Sequence, residues 1–258
     1  MSKVAAASRF VYDGCMEIRG KNTLITGAAK RVGREMALAF ARKGANILLH
    51  YNQSENEAKK TASEIEGLGV KCHLFQADLL DCKQLMKMLQ SIENSMVAID
   101  ILINSASLFY KTPLRAATET DFDKLVGSNL KAPFLLSKEI GVRMAEAGAG
   151  KIINIADWSA FRPYRDYAPY CAAKGGLITL TKSLARELAP KIMANAIAPG
   201  PVMLPPDFTK QEKESIAKLT ALGRIGSPID IAHAAVFLAE NDFINGTVLV
   251  VDGGRSIV

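Results

Sequence analysis

From Lys21 onward, short apolar runs alternate with longer stretches in which apolar residues recur at helical spacing. Runs at residues 23–26, 46–50, 71–76, 99–104, 151–156, 194–198 and 247–251 predict about seven strands. Stretches at 34–43, 55–67, 82–95, 119–147, 170–188 and 228–240 predict helices between them. Strands this uniformly apolar are covered on both faces, and the alternation implies right-handed βαβ crossovers. The fold class that follows is α/β, a doubly wound parallel sheet. No Pro/Gly/Ser linker interrupts the pattern, so residues 19–258 read as one domain behind a leader at 1–18. In such sheets ligands bind beyond the carboxyl ends of the strands, so the informative residues should follow each strand.

Composition narrows the function. Hydrophobic residues are 49% of the chain and charged residues 22%, which supports a large core and excludes disorder. The net charge of +6 is spread along the chain in blocks no longer than two, such as Lys30-Arg31 and Lys59-Lys60. Nucleic-acid binding wants clustered cations, so none is expected; a phosphorylated cofactor suits this surface. Cys15, Cys72, Cys82 and Cys171 have no metal-ligand spacing, and His50, His73 and His233 stand apart, so no metal is expected. The leader lacks an apolar signal core and no run approaches the roughly 20 apolar residues of a membrane span. A cytoplasmic protein with reduced thiols is the expectation.

The chemistry lies after the strands. Thr26-Gly27-Ala28-Ala29-Lys30-Arg31-Val32-Gly33 joins the first strand to an apolar helix. Gly27 permits a sharp turn, the alanines admit close backbone approach, and a helix N-terminus attracts a pyrophosphate. An ordinary strand-to-helix turn is the competing reading. Arg31 occupies a position usually taken by glycine. The second strand ends His50-Tyr51-Asn52-Gln53-Ser54, without the acidic residue that would bind a ribose 2′-hydroxyl. Lys30 and Arg31, with Asn52 and Ser54, would instead hold a 2′-phosphate, which favours NADPH. Asp78-Leu79 follows the third strand, where Asp78 either meets adenine or caps the next helix. Tyr170 and Lys174 stand at i and i+4 on one helix face, where a fixed ammonium lowers a phenol's pKa and suits it to proton donation. Cys171, without a histidine in register, reads as structural.

With Asn104-Ser105-Ala106, Asn129, Pro199-Gly200 with Val202, and the closing Val251-Asp252-Gly253-Gly254, these motifs resemble the short-chain dehydrogenase/reductase family. The likeness covers residues 21–254 and implies a Rossmann-like fold, a nicotinamide cofactor, a small-molecule substrate and a homotetramer. It implies that Tyr170 is the catalytic acid, Lys174 its ribose-binding partner and Asn129 the holder of a relay water. The family's catalytic serine precedes the tyrosine by thirteen residues; here Asp157 stands there. A serine hydroxyl donates to a ketone oxygen, whereas a carboxylate only accepts. Either Asp157 is protonated by burial, or the substrate carries N–H groups or a basic nitrogen. The second option, with the glycine loop, His50-Tyr51 and Ser54, residues 104–114 and Asp157, resembles the pteridine reductase branch. That likeness implies that Asp157 and Tyr170 together protonate a pterin nitrogen while NADPH supplies hydride. Phe109 would stack on the pterin and Arg31 bridge phosphate and substrate; the plainer readings are a hydrophobic lid and a phosphate contact only. Gln53, Ser105 and a short segment after Leu114 depart from that branch. A 3-oxoacyl-carrier-protein or other ketone reductase is the alternative, and a non-catalytic cofactor-binding regulator a third.

Overall fold

The computed structural model describes residues 16–95, 97–204 and 208–258. The seven expected strands are there, and all pair in parallel. They are β1 (Asn22–Ile25), β2 (Asn46–Tyr51), β3 (Cys72–Gln76), β4 (Ile101–Asn104), β5 (Gly150–Ile155), β6 (Ile192–Pro199) and β7 (Val248–Val251). Their order across the sheet is β3-β2-β1-β4-β5-β6-β7. The helices are α1 (Arg31–Arg42), α2 (Glu55–Glu66), α3 (Cys82–Asn94), α4 (Glu119–Val126), α5 (Ala132–Ala147), α6 (Ala168–Glu187), α7 (Lys210–Lys218) and α8 (Pro228–Glu240).

Side-chain parity explains the two layers. Successive strand residues face opposite ways, so Ile25, Ile47, Leu49, Ile103 and Ile153 join a core shared with α1, α2 and α8. Leu24, Leu48, Leu102 and Ile152 join the opposite core, under α3, α5 and α6. Each such side chain contributes about 1.5–3 kcal/mol of transfer free energy. The strand order reverses between β1 and β4, where Ile25 pairs with Ile103. That switch opens a crevice at the carboxyl edge, where ligands bind in sheets of this kind.

Several boundaries differ from expectation by two or three residues, α1 among them, which starts at Arg31 and not at 34; three differences bear on the fold. Most of the expected leader lies outside the described residues, but Ile18, placed in it, is 1% exposed and belongs to the core. The sheet therefore needs the chain from Ile18 onward to seal the α1 face. The single long helix predicted over 119–147 is two helices joined by a π-helical turn, Gly127–Lys131. α4 starts at a capping box formed by Thr118 and Asp121, and α5 closes at Gly148 in left-handed geometry with φ of 108°. Finally, α6 starts at Ala168 with Pro169 in its first turn, two residues before the expected start at Tyr170. No described helix is long and apolar enough to cross a membrane.

Candidate active site

Six strand ends, β1 to β6, build the crevice. At β1, Thr26 Oγ1 accepts hydrogen bonds from the Ser105 and Ala106 amides at 2.8 and 3.0 Å, tying the β1 and β4 loops together. Gly27 has φ of 66°, and a Cβ there would lie 3.0 Å from Ala106 Cα. At Gly33 a Cβ would stand 2.3 Å from the Gly27 carbonyl oxygen. Both positions therefore require glycine. The turn leads straight into α1, whose first-turn amides have no carbonyl four residues back to bond. Lys30 and Arg31 are exposed beside it. The loop thus fits a dinucleotide pyrophosphate, with a bare helix N-terminus and two cations at hand.

Arg31 is held at φ of 58°, a left-handed conformation costly for any residue with a Cβ. Its Nη2 lies 3.4 Å from the Met203 carbonyl, linking the glycine loop to the segment after β6. An arginine where glycine would be unstrained marks a guanidinium held at some cost at the junction of two loops.

Two residues expected to touch the cofactor are turned inward. Tyr51 shares the parity of Ile47 and Leu49 and lies in their core. His50 is buried; its Nδ1 accepts from the Gly27 amide at 3.1 Å and its Nε2 meets the Ala77 carbonyl at 3.0 Å. Asn52 and Ser54 stay at the surface side of this corner, and no side-chain bond caps α2 from Ser54. Asp78 is not the cap of α3, because Asp81 takes that role, accepting from the Lys83 and Gln84 amides. Asp78 accepts from the Leu80 amide instead, and Leu79 packs toward the α3 core.

On the β4 side, buried Asn104 donates to Ser137 Oγ at 3.1 Å and Asn154 Oδ1 at 2.8 Å. Its own Oδ1 has no partner. Asn129, in the π-helical turn and wholly buried, accepts from Ser107 Oγ at 2.6 Å. Its amide donates to the Leu108 and Leu125 carbonyls, both at 2.9 Å. The Asn129 side chain thus pins the loop that carries Phe109, a role the sequence did not reveal because Ser107 bears no recognisable motif. At the β6 end, Pro199 closes the strand and Gly200 lies where a Cβ would approach Asp252 to 2.5 Å. Val202 packs against the core near Gly226.

The catalytic candidates converge. Tyr170 donates to Asp157 Oδ2 at 2.9 Å, and Asp157 Oδ1 accepts from the Ser159 amide at 2.7 Å. Asp157 is therefore both a partner of the phenol and the cap of the 3-10 turn Trp158–Ala160. Lys174, buried, donates to the Ile155 carbonyl at 2.8 Å and lies 5.6 Å from the Tyr170 ring centroid. The expected lowering of the Tyr170 pKa is reversed here. Burial first, then the Asp157 charge and its hydrogen bond, push the phenol well above its ordinary value. Lys174 is lowered by burial to about 8, against the pull of Asp157. At neutral pH the pocket therefore holds a protonated phenol and an ammonium. Tyr164 is also pushed up, by burial and then by Asp157.

An aromatic wall encloses this pair. Phe109, half exposed, stacks on Tyr167 at 4.6 Å and meets Tyr170 edge-on at 4.9 Å. Trp158 packs edge-on to Tyr164 at 5.3 Å and carries the Arg255 guanidinium at 4.7 Å on its ring. One face of Phe109 is thus covered by Tyr167. Among the described residues no group of His, Cys, Asp and Glu is arranged to hold a metal.

Comparison with known proteins agrees with this geometry. Residues 27–256 match the family model described as enoyl-(acyl carrier protein) reductase. A short-chain type dehydrogenase/reductase of Picea abies is 32% identical over 250 residues, covering 92% of each chain. A 3-oxoacyl-(acyl-carrier-protein) reductase of Staphylococcus aureus is 32% identical over 239 residues, covering 91% of this chain and 97% of the relative. The crystal structure of a putative gluconate dehydrogenase from Agrobacterium tumefaciens superposes with a TM-score of 0.89 at 29% identity, covering 94% and 98% of the two chains.

Proposed function

Because this chain belongs to the short-chain dehydrogenase/reductase family, and so to the oxidoreductases that use a nicotinamide cofactor, we propose that it is an NADPH-dependent reductase of a pterin-like C=N bond. The observation that carries the reading is the 2.9 Å hydrogen bond from Tyr170 to Asp157, a carboxylate where the family's pattern has a hydroxyl. Bound at the glycine loop, NADPH would supply the hydride. The choice of the phosphorylated cofactor rests on Lys30 and Arg31 beside the loop and on the absence of an acidic residue among Tyr51, Asn52, Gln53 and Ser54.

The chain's own residues do the rest. Tyr170, a neutral phenol at working pH, gives its proton to the ring nitrogen. Asp157 accepts the phenol's O–H before transfer and a substrate N–H after it, a task a serine hydroxyl performs less well. Lys174 sets its positive charge beside the phenolate that remains, which returns to phenol by taking a proton from solvent. Phe109, half exposed, would stack on a flat heterocycle, and Arg31, which reaches the Met203 carbonyl, would bridge phosphate and substrate. Assembly as a homotetramer would cover exposed Phe134 and Val142 on α5.

A ketone reductase is the second reading, favoured by the relative named for 3-oxoacyl reduction. NADPH oxidation on dihydropterin, an acetoacetyl thioester and a quinone separates the two. Dihydropterin is expected to be the best of the three. Asp157→Ser is expected to move preference toward the thioester by about tenfold, the worth of one hydrogen bond to a charged group. An unchanged preference removes the C=N argument. Tight NADPH binding without oxidation on any substrate would instead favour a cofactor-binding regulator.

A further inference from the structure

The buried edge of the glycine loop carries an inference that holds for any substrate. We propose that His50 is a positioning residue for the cofactor, fixing the Gly27 turn through one particular ring tautomer. A backbone amide can only donate, so the 3.1 Å bond from Gly27 N makes His50 Nδ1 the acceptor. The proton then resides on Nε2, which donates to the Ala77 carbonyl at 3.0 Å. The His50 carbonyl meanwhile accepts from the Ala28 amide at 3.0 Å, and Ala77 N bonds back to the Tyr51 carbonyl at 3.1 Å. One side chain thus spans the exits of β1, β2 and β3.

The consequence for binding is direct. The Gly27 and Ala28 amides face His50, so they do not point to the ligand. What the anion meets is the helix start from Arg31 onward, whose position depends on the turn His50 holds. Burial keeps the ring neutral by lowering its pKa to about 4, against the Ala77 carbonyl and the Asp78 charge, which raise it. Protonation would set an N–H against the Gly27 N–H and release the turn.

Two substitutions separate the two ring atoms. Asparagine places its carbonyl where Nδ1 was, whereas glutamine places its amide near Nε2. His50→Asn is expected to bind NADPH within about threefold of the parent protein. His50→Gln, which leaves the Gly27 amide buried and unpaired, is expected to bind about tenfold or more weakly. NADH should weaken by the same factor, because both cofactors share the pyrophosphate; this keeps the result separate from any NADPH preference and from the pterin reading. Affinity is read by quenching of Trp158 fluorescence, with melting temperatures measured alongside. Hydrogen exchange at the Gly27 amide, without cofactor, should stay slow in His50→Asn and become fast in His50→Gln. Equal affinity in the two variants overturns the proposal. So does an Nδ1–H tautomer in the nitrogen-15 spectrum of the parent protein, a measurement that needs no variant to fold.

Discussion

The two sides of the crevice are built from different materials. At the ends of β1 to β3 the structure is mostly main chain: a glycine turn at Gly27, amides anchored by Thr26 and His50, and a helix start that admits no Cβ at Gly33. At the ends of β4 to β6 it is side chain: Asp157 against Tyr170, Lys174 on a carbonyl, Phe109 against Tyr167. A main-chain cradle reads shape and charge and tolerates no added Cβ. A side-chain pocket changes its chemistry with one substitution. The first kind of construction suits a shared cofactor and the second a particular substrate.

The difference can be broken from either side, and the effects should not mix. Tyr170→Phe is expected to lower turnover by about 10²-fold or more while leaving NADPH affinity within about twofold; stopped-flow hydride transfer and direct titration would check both. Gly33→Ala should do the reverse. Its Cβ meets the Gly27 carbonyl at 2.3 Å, so NADPH affinity should fall at least about tenfold by calorimetry, with the Asp157–Tyr170 geometry kept. Next in size is the alkaline limb of turnover. Lys174 gives up its proton near pH 8 because burial disfavours its charge, whereas Tyr170 stays protonated there. Turnover should decline from about pH 8 upward, and a Tyr170-controlled decline only well above pH 10 would overturn that assignment.

Arg31→Gly, at the seam between the two sides, should have the smallest effect on the fold. Relief of its φ of 58° is expected to raise stability by up to about 1 kcal/mol in urea titration, while affinity for NADPH and substrate falls a few-fold. A loss of stability would mean that the guanidinium's bond to Met203 outweighs the strain.

Much of this was legible in the sequence. Seven apolar runs marked seven strands because both-face burial leaves little room for polar residues. Tyr170 and Lys174 share a helix face as their i, i+4 spacing implied, and Asp157 meets Tyr170 where the family resemblance put it. Arg31 stands in a position usually taken by glycine, which fits the left-handed backbone found there. Other features left weaker traces. The inward turn of Tyr51 was available from its parity with Ile47 and Leu49, but that of His50 depends on a hydrogen bond that no pattern encodes. The role of Asp81 as cap was masked by Asp78 three residues earlier, which has the same chemistry. The pKa of Tyr170 could not be read from its ammonium neighbour, because the carboxylate and burial outweigh it.

The π-helical turn at Gly127–Lys131 has a consequence for how insertions and deletions are tolerated. Each residue of an α-helix advances the chain by about 100° around its axis. The amide of Ala132 bonds the Gly127 carbonyl five residues back, so this turn holds one residue more than an α-helical turn; excising one residue from it should leave Leu136 and Ile140 on the sheet and displace Asn129 instead. The widened turn works as a phase adjuster, letting one stretch of chain face the reacting groups above and the sheet below without either stripe dictating the other.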